Sequence, residues 1–359
     1  MTLSVGINGF GRIGRLVTRL LAGRDDVRLT AVNTRRGDAD LLAHLLTYDS
    51  VHGRFTGDVV ADGDRLWIEG NDVLVSSYEK PSVIPWRDSG VDVVVESTGA
   101  FTMADEARGH LEGGAGHVLI TAPSTGEDLT IVVGVNEETF DPQRHQVVSA
   151  ASCTTACLGP VASVLGTTFG IESGFATTVH AFTRDQELVD GSHDDPRRAR
   201  SAALNLVPTK TGAARLLGRI LPELAGRIDA FAIRVPTPDV SLLTLGVVLR
   251  LPATREEVND VFRAAAGSDR LSSVLGVCEE PLVSSDFLGD PRSAIVDAAG
   301  TIALQNNHLQ VLAWYDNELS YAARVVDILE LIRDRSRRSR AAGTRGTSRA
   351  LHEVRLPTS

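Results

Sequence analysis

The segment LSVGINGFGRIGRLVTRLL, residues 3–21, decides the fold. Residues 3–7 are an apolar run of strand length, and residues 13–21 carry apolar side chains at helical spacing. Between them stands Gly9-Phe10-Gly11-Arg12-Ile13-Gly14, a G-x-G-x-x-G that follows a strand and opens a helix. Lacking side chains, such a turn lets backbone amides approach a pyrophosphate, and the helix start adds partial positive charge. Gly9, Gly11, Arg12, Ile13 and Gly14 are therefore the candidate cofactor-binding residues.

Working outward, residues 27–32 read as a second strand, and further apolar runs at 91–95, 117–120 and 130–133 alternate with helical or turn-rich pieces. That alternation predicts a Rossmann-type, doubly wound parallel sheet over residues 1–152. Past it the texture changes to longer alternating strands at 175–183, 228–235, 240–251 and 309–315, with helices at 154–165, 212–219, 254–266 and 318–333. The whole is an α/β chain whose second part, residues 153–317, is an α+β domain with a mainly antiparallel sheet. Residues 335–359, rich in Arg, Ser, Thr and Gly, read as a basic, disordered tail.

Composition narrows the function. Among 359 residues the net charge is −10, yet the stretch 333–359 holds eight Arg against Asp334 and Glu353, which leaves −16 on the body. An acidic body argues against a nucleic-acid footprint and requires any anionic substrate to be met by a local basic cluster. No apolar run reaches the roughly 18 residues a membrane helix needs, so no membrane association is expected. Three cysteines cannot build a disulfide framework and fit a reducing, cytoplasmic compartment. No metal-ligand spacing stands out.

Where the fingerprint calls for an acid at the end of the second strand, the chain reads Asn33-Thr34-Arg35-Arg36. Thr34 and Arg35 leave room and charge for the 2′-phosphate of NADP, although solvated arginines with bound NAD fit the same residues. In Ala151-Ser152-Cys153-Thr154-Thr155-Ala156-Cys157, small and hydroxylated residues precede an apolar helix. Cys153 then stands at the helix start, where peptide dipoles favour a thiolate, and Cys157 one turn later faces the core.

Taken together, INGFGRIGR (7–15), YDSVHGRF (48–55), ASCTTACLGP (151–160), TVHAFTRDQ (178–186), TKTGAAR (209–215), RVPTPDVS (234–241) and WYDNELSY (314–321) resemble the phosphorylating glyceraldehyde-3-phosphate dehydrogenase family. The resemblance covers about the first 335 residues. It implies oxidation of glyceraldehyde 3-phosphate to 1,3-bisphosphoglycerate through a thioester on Cys153, with His180 as base, NAD or NADP as hydride acceptor and inorganic phosphate as second substrate. It further implies that Arg234 and Arg197 bind phosphate with Ser152, Thr154, Thr183, Thr211 and Gly212. Thr121 and Asn317 would contact the cofactor, Asn317 by orienting the nicotinamide, and Tyr321 would pack beside it. A helix over 318–334 would return to the dinucleotide-binding domain, and a homotetramer is expected. Arg198, Arg200 and Arg215 are left to solvent. Family members commonly carry asparagine where this chain has Ala156, and leucine and proline where it has Gly191 and Ser192, a change that favours NADP. Close alternatives are an erythrose-4-phosphate dehydrogenase, which needs no phosphate, and a noncatalytic duplicate.

Overall fold

Strand β1 (Leu3–Asn8) occupies the centre of a nine-stranded sheet, with β2 (Val27–Asn33) and β3 (Val93–Glu96) parallel to it on either side. The computed structural model describes residues 2–305 and 307–350. Val5 and Ile7 are fully buried because helices cover both faces of this sheet, which is why its strands are apolar runs without alternation. Asn71–Ser76, His117–Ile120, Val147–Ser149 and Leu129–Thr130 extend the parallel array, and Val59–Asp62 with Arg65–Ile68 adds an antiparallel edge. The edge hairpin and Val147–Ser149 were not expected from the sequence, and the strand expected at 130–133 is only Leu129–Thr130. Helix α1 (Arg12–Leu21) packs Leu16, Val17 and Leu21 into the core beneath.

Helix α2 (Cys153–Thr168) is buried on every side, from Thr154 through Ala162 without interruption. It packs on a seven-stranded second sheet and against the helices beside it. That second sheet contains β4 (Ile171–Ala181), β5 (Ile228–Val235), β6 (Ser241–Leu249) and β7 (His308–Tyr315), ordered β5-β4-β6-β7. Pairing is antiparallel except between β4 and β5 and between Leu275–Cys278 and Ala294–Ala303. Along β6 burial alternates strictly, Leu243, Leu245, Val247 and Leu249 turning inward, as one covered face requires.

The last helix, α3 (Leu319–Ala350), lays Ala322, Val325, Leu329 and Ile332 against Val5, Ile7 and Leu16 of the first sheet's core. It corrects the expected disordered tail: residues 335–350 are helical. Arg and Ala are good helix formers, and extending an established helix avoids the cost of nucleating one. Residues 351–359 of that expected tail lie outside the described residues. No described helix is long and apolar enough to cross a membrane.

Candidate active site

The glycine turn has the geometry its composition promised. Gly9 sits at φ 97°, and a Cβ there would meet the Thr98 nitrogen at 2.7 Å; one on Gly14 would meet the Gly9 carbonyl oxygen at 2.3 Å. Gly11, by contrast, has open space where its side chain would be. It caps α1 without any side-chain hydrogen bond, and the first turn carries no acid, so the helix presents free amides and positive potential. Beneath the turn lies a buried network. Glu96 accepts from Asn8 Nδ2 at 2.6 Å, Thr98 N at 2.8 Å and His110 Nε2 at 3.0 Å, while Trp86 Nε1–H donates to His110 Nδ1 at 3.0 Å. The tryptophan bond places the imidazole proton on Nε2, where Glu96 receives it.

Not every expected cofactor residue points outward with its side chain. Arg12 is held by Asp49 and by Glu318, whose Oε1 is 2.9 Å from Nε, so only its backbone faces the turn's opening. Ile13 packs against the core. The Thr121 hydroxyl donates to the Glu96 carbonyl at 3.1 Å, and Thr34 Oγ1 donates to the Arg36 carbonyl at 3.2 Å. Arg35 and Arg36 are exposed, without an ion pair among the described residues.

Ser152 caps α2, its hydroxyl accepting from Thr155 N at 3.1 Å, and so sets Cys153 on the first turn. The preceding Ala151 is left-handed, φ 58°, and its carbonyl accepts from Tyr321 O–H at 3.1 Å. Cys153 Sγ lies 3.4 Å from Nε2 of His180, a residue near the end of β4. On the far side of the ring, His180 Nδ1 is 2.7 Å from both the Ala181 carbonyl and Arg234 Nη1. Arg234 is opposite His180 in the parallel β4–β5 register, which explains the contact. Burial and then the Arg234 charge push His180 down to about 3, so the ring is neutral at ordinary pH. Burial pushes the half-buried Cys153 thiol up, against the pull of Arg234 and the Thr154 N–H. Desolvation thus opposes the thiolate that the helix start and the Arg234 charge favour. Cys157 is fully buried. Thr154 Oγ1 bonds the Tyr315 hydroxyl at 3.0 Å and so faces inward.

Beside this pair are buried polar atoms without partners among the described residues: Arg234 Nε, Thr237 Oγ1 and Gln186 Nε2. Thr183 N donates to Gln186 Oε1 at 3.4 Å, and Phe182 N to the Thr237 carbonyl at 3.2 Å, which holds the two turns side by side. Unpaired buried donors are costly, and these could be satisfied by an anion. Thr211 and the exposed Gly212 lie before Ala213–Ile220, whose cap has no side-chain bond. Two neighbouring arginines differ in placement. Arg197 is exposed and reaches only the Pro208 carbonyl at 3.3 Å. Arg198 is turned inward instead, its Nε 2.9 Å from Thr209 Oγ1, with Asp185 as ion-pair partner, and its charge is felt at Arg234. Lys210 is exposed.

The residues 3–104 match the family model for the glyceraldehyde 3-phosphate dehydrogenase NAD binding domain, and residues 152–317 match that for the C-terminal domain of the same enzyme. Glyceraldehyde-3-phosphate dehydrogenase 2 of Bacillus subtilis is 48% identical over 92% of this chain and 96% of its own length. Glyceraldehyde-3-phosphate dehydrogenase 1 of Streptomyces avermitilis is 50% identical over 93% and 99%. The chain belongs to the glyceraldehyde-3-phosphate dehydrogenase family.

Within that family frame, sequence reasoning missed two groups. Ser241, part of a quoted motif, donates to Asn317 Oδ1 at 2.6 Å and accepts from Ala181 N at 3.1 Å. His52, Asp239 and Asp316 form a buried cluster whose polar atoms lie within 4.8 Å of one another. Metal-like spacing is satisfied otherwise here: Asp316 already accepts from the Gly289, Glu318 and Leu319 amides, and His52 Nε2 faces both Asp239 and Glu318. No spacing signal could have found either group, because their members are far apart in sequence.

Proposed function

We propose that this chain oxidises glyceraldehyde 3-phosphate through a thioester on Cys153 and releases the product to inorganic phosphate as 1,3-bisphosphoglycerate. The observation that carries the reading is the 3.4 Å contact between Cys153 Sγ and His180 Nε2 at the start of a buried helix, beside unpartnered anion donors. Neutral His180 takes the thiol proton as sulfur bonds the aldehyde carbon, and returns it to the new oxyanion. It takes the same proton again as hydride departs, leaving the thioester. A bound nicotinamide supplies the hydride acceptor. A phosphate oxygen then attacks the thioester carbon, the C–S bond breaks, and Cys153 is restored. Arg234, Thr183, Thr237 and Gln186 support one anion pocket; Arg198, rather than Arg197, joins Thr211 and Gly212 in support of the other.

For the cofactor, the open space at Gly11, the uncapped start of α1 and the buried Asn317 fit a dinucleotide running from α1 to Cys153. The free arginines Arg35 and Arg36 support NADP beside NAD. Exposed apolar side chains at Phe175, Leu188, Val189, Leu204 and Leu206 support burial against further copies, as a homotetramer provides. Three free cysteines agree with a cytoplasmic address.

One assay tests this reading: reduced cofactor is followed with glyceraldehyde 3-phosphate, crossing NAD with NADP and phosphate with none. Turnover is expected with both cofactors, to depend on phosphate, and to vanish in Cys153→Ser. Undiminished turnover in that variant sinks the mechanism; equal rates without phosphate sink phosphorolysis; strict preference for NAD sinks the role given to Arg35.

A further inference from the structure

Ser241 is the first residue of β6, fully buried, and opposite Tyr315 in the β6–β7 register, a residue that stands two positions before Asn317 in the chain. Its hydroxyl has one hydrogen to give. The oxygen already accepts from the backbone N–H of Ala181 at 3.1 Å, which aims its own O–H away from β4. That hydrogen goes to Asn317 Oδ1 at 2.6 Å. A side-chain amide has one accepting end and one donating end, so fixing the oxygen against Ser241 turns Nδ2 the opposite way.

Left to itself, a buried amide can present either end. If the amide were reversed, two donors, Asn317 Nδ2 and the Ala181 N–H, would crowd Ser241 Oγ, and its hydroxyl hydrogen would lose the acceptor it has now. The backbone of β4 therefore dictates, through one hydroxyl, the polarity of a side chain on the segment between β7 and α3. Ala181 is also the residue whose carbonyl meets His180 Nδ1 at 2.7 Å, so one residue anchors both the base and the relay.

We propose that Ser241 is a positioning residue for the cofactor: by accepting from Ala181 and donating to Asn317, it holds the Asn317 amide with its N–H end toward the nicotinamide carboxamide. The proposal rests on the reading of Asn317 as the nicotinamide-orienting residue. It specifies a direction of polarity, since only a donor at that place pairs with the carboxamide oxygen.

The test is equilibrium binding to the full-length enzyme of NAD and of ADP-ribose, which shares every part of NAD except the nicotinamide. Ser241→Ala is expected to weaken NAD about three- to tenfold, the worth of one misdirected hydrogen bond, while ADP-ribose changes less than about twofold. Asn317→Ala should do the same, and the double variant should be no weaker than Asn317→Ala alone, because the serine acts only through the asparagine. Ser241→Cys keeps the shape with a far weaker donor, and it gives the same readout should Ser241→Ala not accumulate as folded protein. Equal loss of both ligands in Ser241→Ala, or additive losses in the double variant, would overturn the inference while leaving the role of Asn317 standing. Unchanged NAD binding in Asn317→Ala would overturn both.

Discussion

His52 makes the stability of this protein depend on pH in a direction opposite to that of a histidine buried without partners. Its Nε2 lies 3.2 Å from Asp239 and 3.3 Å from Glu318, with Asp316 at 4.0 Å from Nδ1. Burial alone would lower its pKa, but the hydrogen bonds to Asp239 and Glu318 and the charges of Asp316 and Asp239 raise it to about 9. A folded value above the unfolded 6.5 means that the stabilisation is fully present below about 6.5 and is lost as pH rises through about 9. At about 1.4 kcal/mol per pH unit the difference sets an upper bound of roughly 3 kcal/mol, which solvent screening reduces. Asp316 acts with the same sign at lower pH, since its burial and the Asp239 charge hold it above the usual carboxylate range. Urea unfolding at one fixed protein concentration, at pH 6.5 and at pH 9.5, measures the effect; His52→Gln is the reference. The variant leaves two buried carboxylates without their cation, so it should be weakest relative to the wild type at pH 6.5 and should converge with it by pH 9.5. A constant gap between the two proteins across that window would refute the reasoning.

The inward turn of Arg198 and the exposure of Arg197 separate two neighbours that look alike in sequence. Arg198→Ala should raise the KM for the phosphorylated aldehyde or for phosphate by roughly ten- to a hundredfold, the range of a lost charged hydrogen bond, with Arg197→Ala within about twofold; the reverse order in steady-state kinetics refutes the assignment. The glycine turn offers a second contrast. Gly9→Ala meets backbone and a left-handed φ, and should cost about 1–3 kcal/mol in thermal or chemical unfolding without cofactor. Gly11→Ala enters open space, so unfolding should move by less than about 0.5 kcal/mol while NAD affinity falls, and unchanged affinity would show that the space is not for the cofactor.

What was legible in the sequence follows from what short-range chemistry can dictate. The turn at Gly9–Gly14 is specified by Gly9 and Gly14, which must lack a Cβ, and by Gly11, which leaves space, so it could be read from three glycines. Strands with strict alternation, such as β6, announce their buried face in the same way. Arg198 could not be told from Arg197 because Thr209 and Asp185, which draw it inward, lie more than ten residues away, one in the short strand Val207–Lys210 and the other in a turn. The short strands Val207–Lys210 and Leu275–Cys278 gain their pairing from neighbours already in place. The state of the thiol depends on packing in a related way: a helix start is visible in a sequence, whereas the desolvation that pushes the Cys153 thiol up is a property of the packed interior.

The placement of the nucleophile follows from the same long-range packing. Cys153 touches the cores of both sheets from the buried start of α2, which packs on the second. The chain enters that helix through Ala151 in a left-handed conformation, which costs an alanine about 1–2 kcal/mol. Two hydrogen bonds offset the strain: Ala151 N–H donates to Ser149 Oγ at 3.0 Å, and its carbonyl accepts from Tyr321 in α3. The strained residue is therefore gripped from the end of the first sheet and from the last helix at once. His180, aimed at the sulfur, comes from the second sheet. Neither half of the chain alone defines where the thiol sits relative to its base, and the last helix, which contributes no reacting group, is required to keep the nucleophile where the imidazole can reach it.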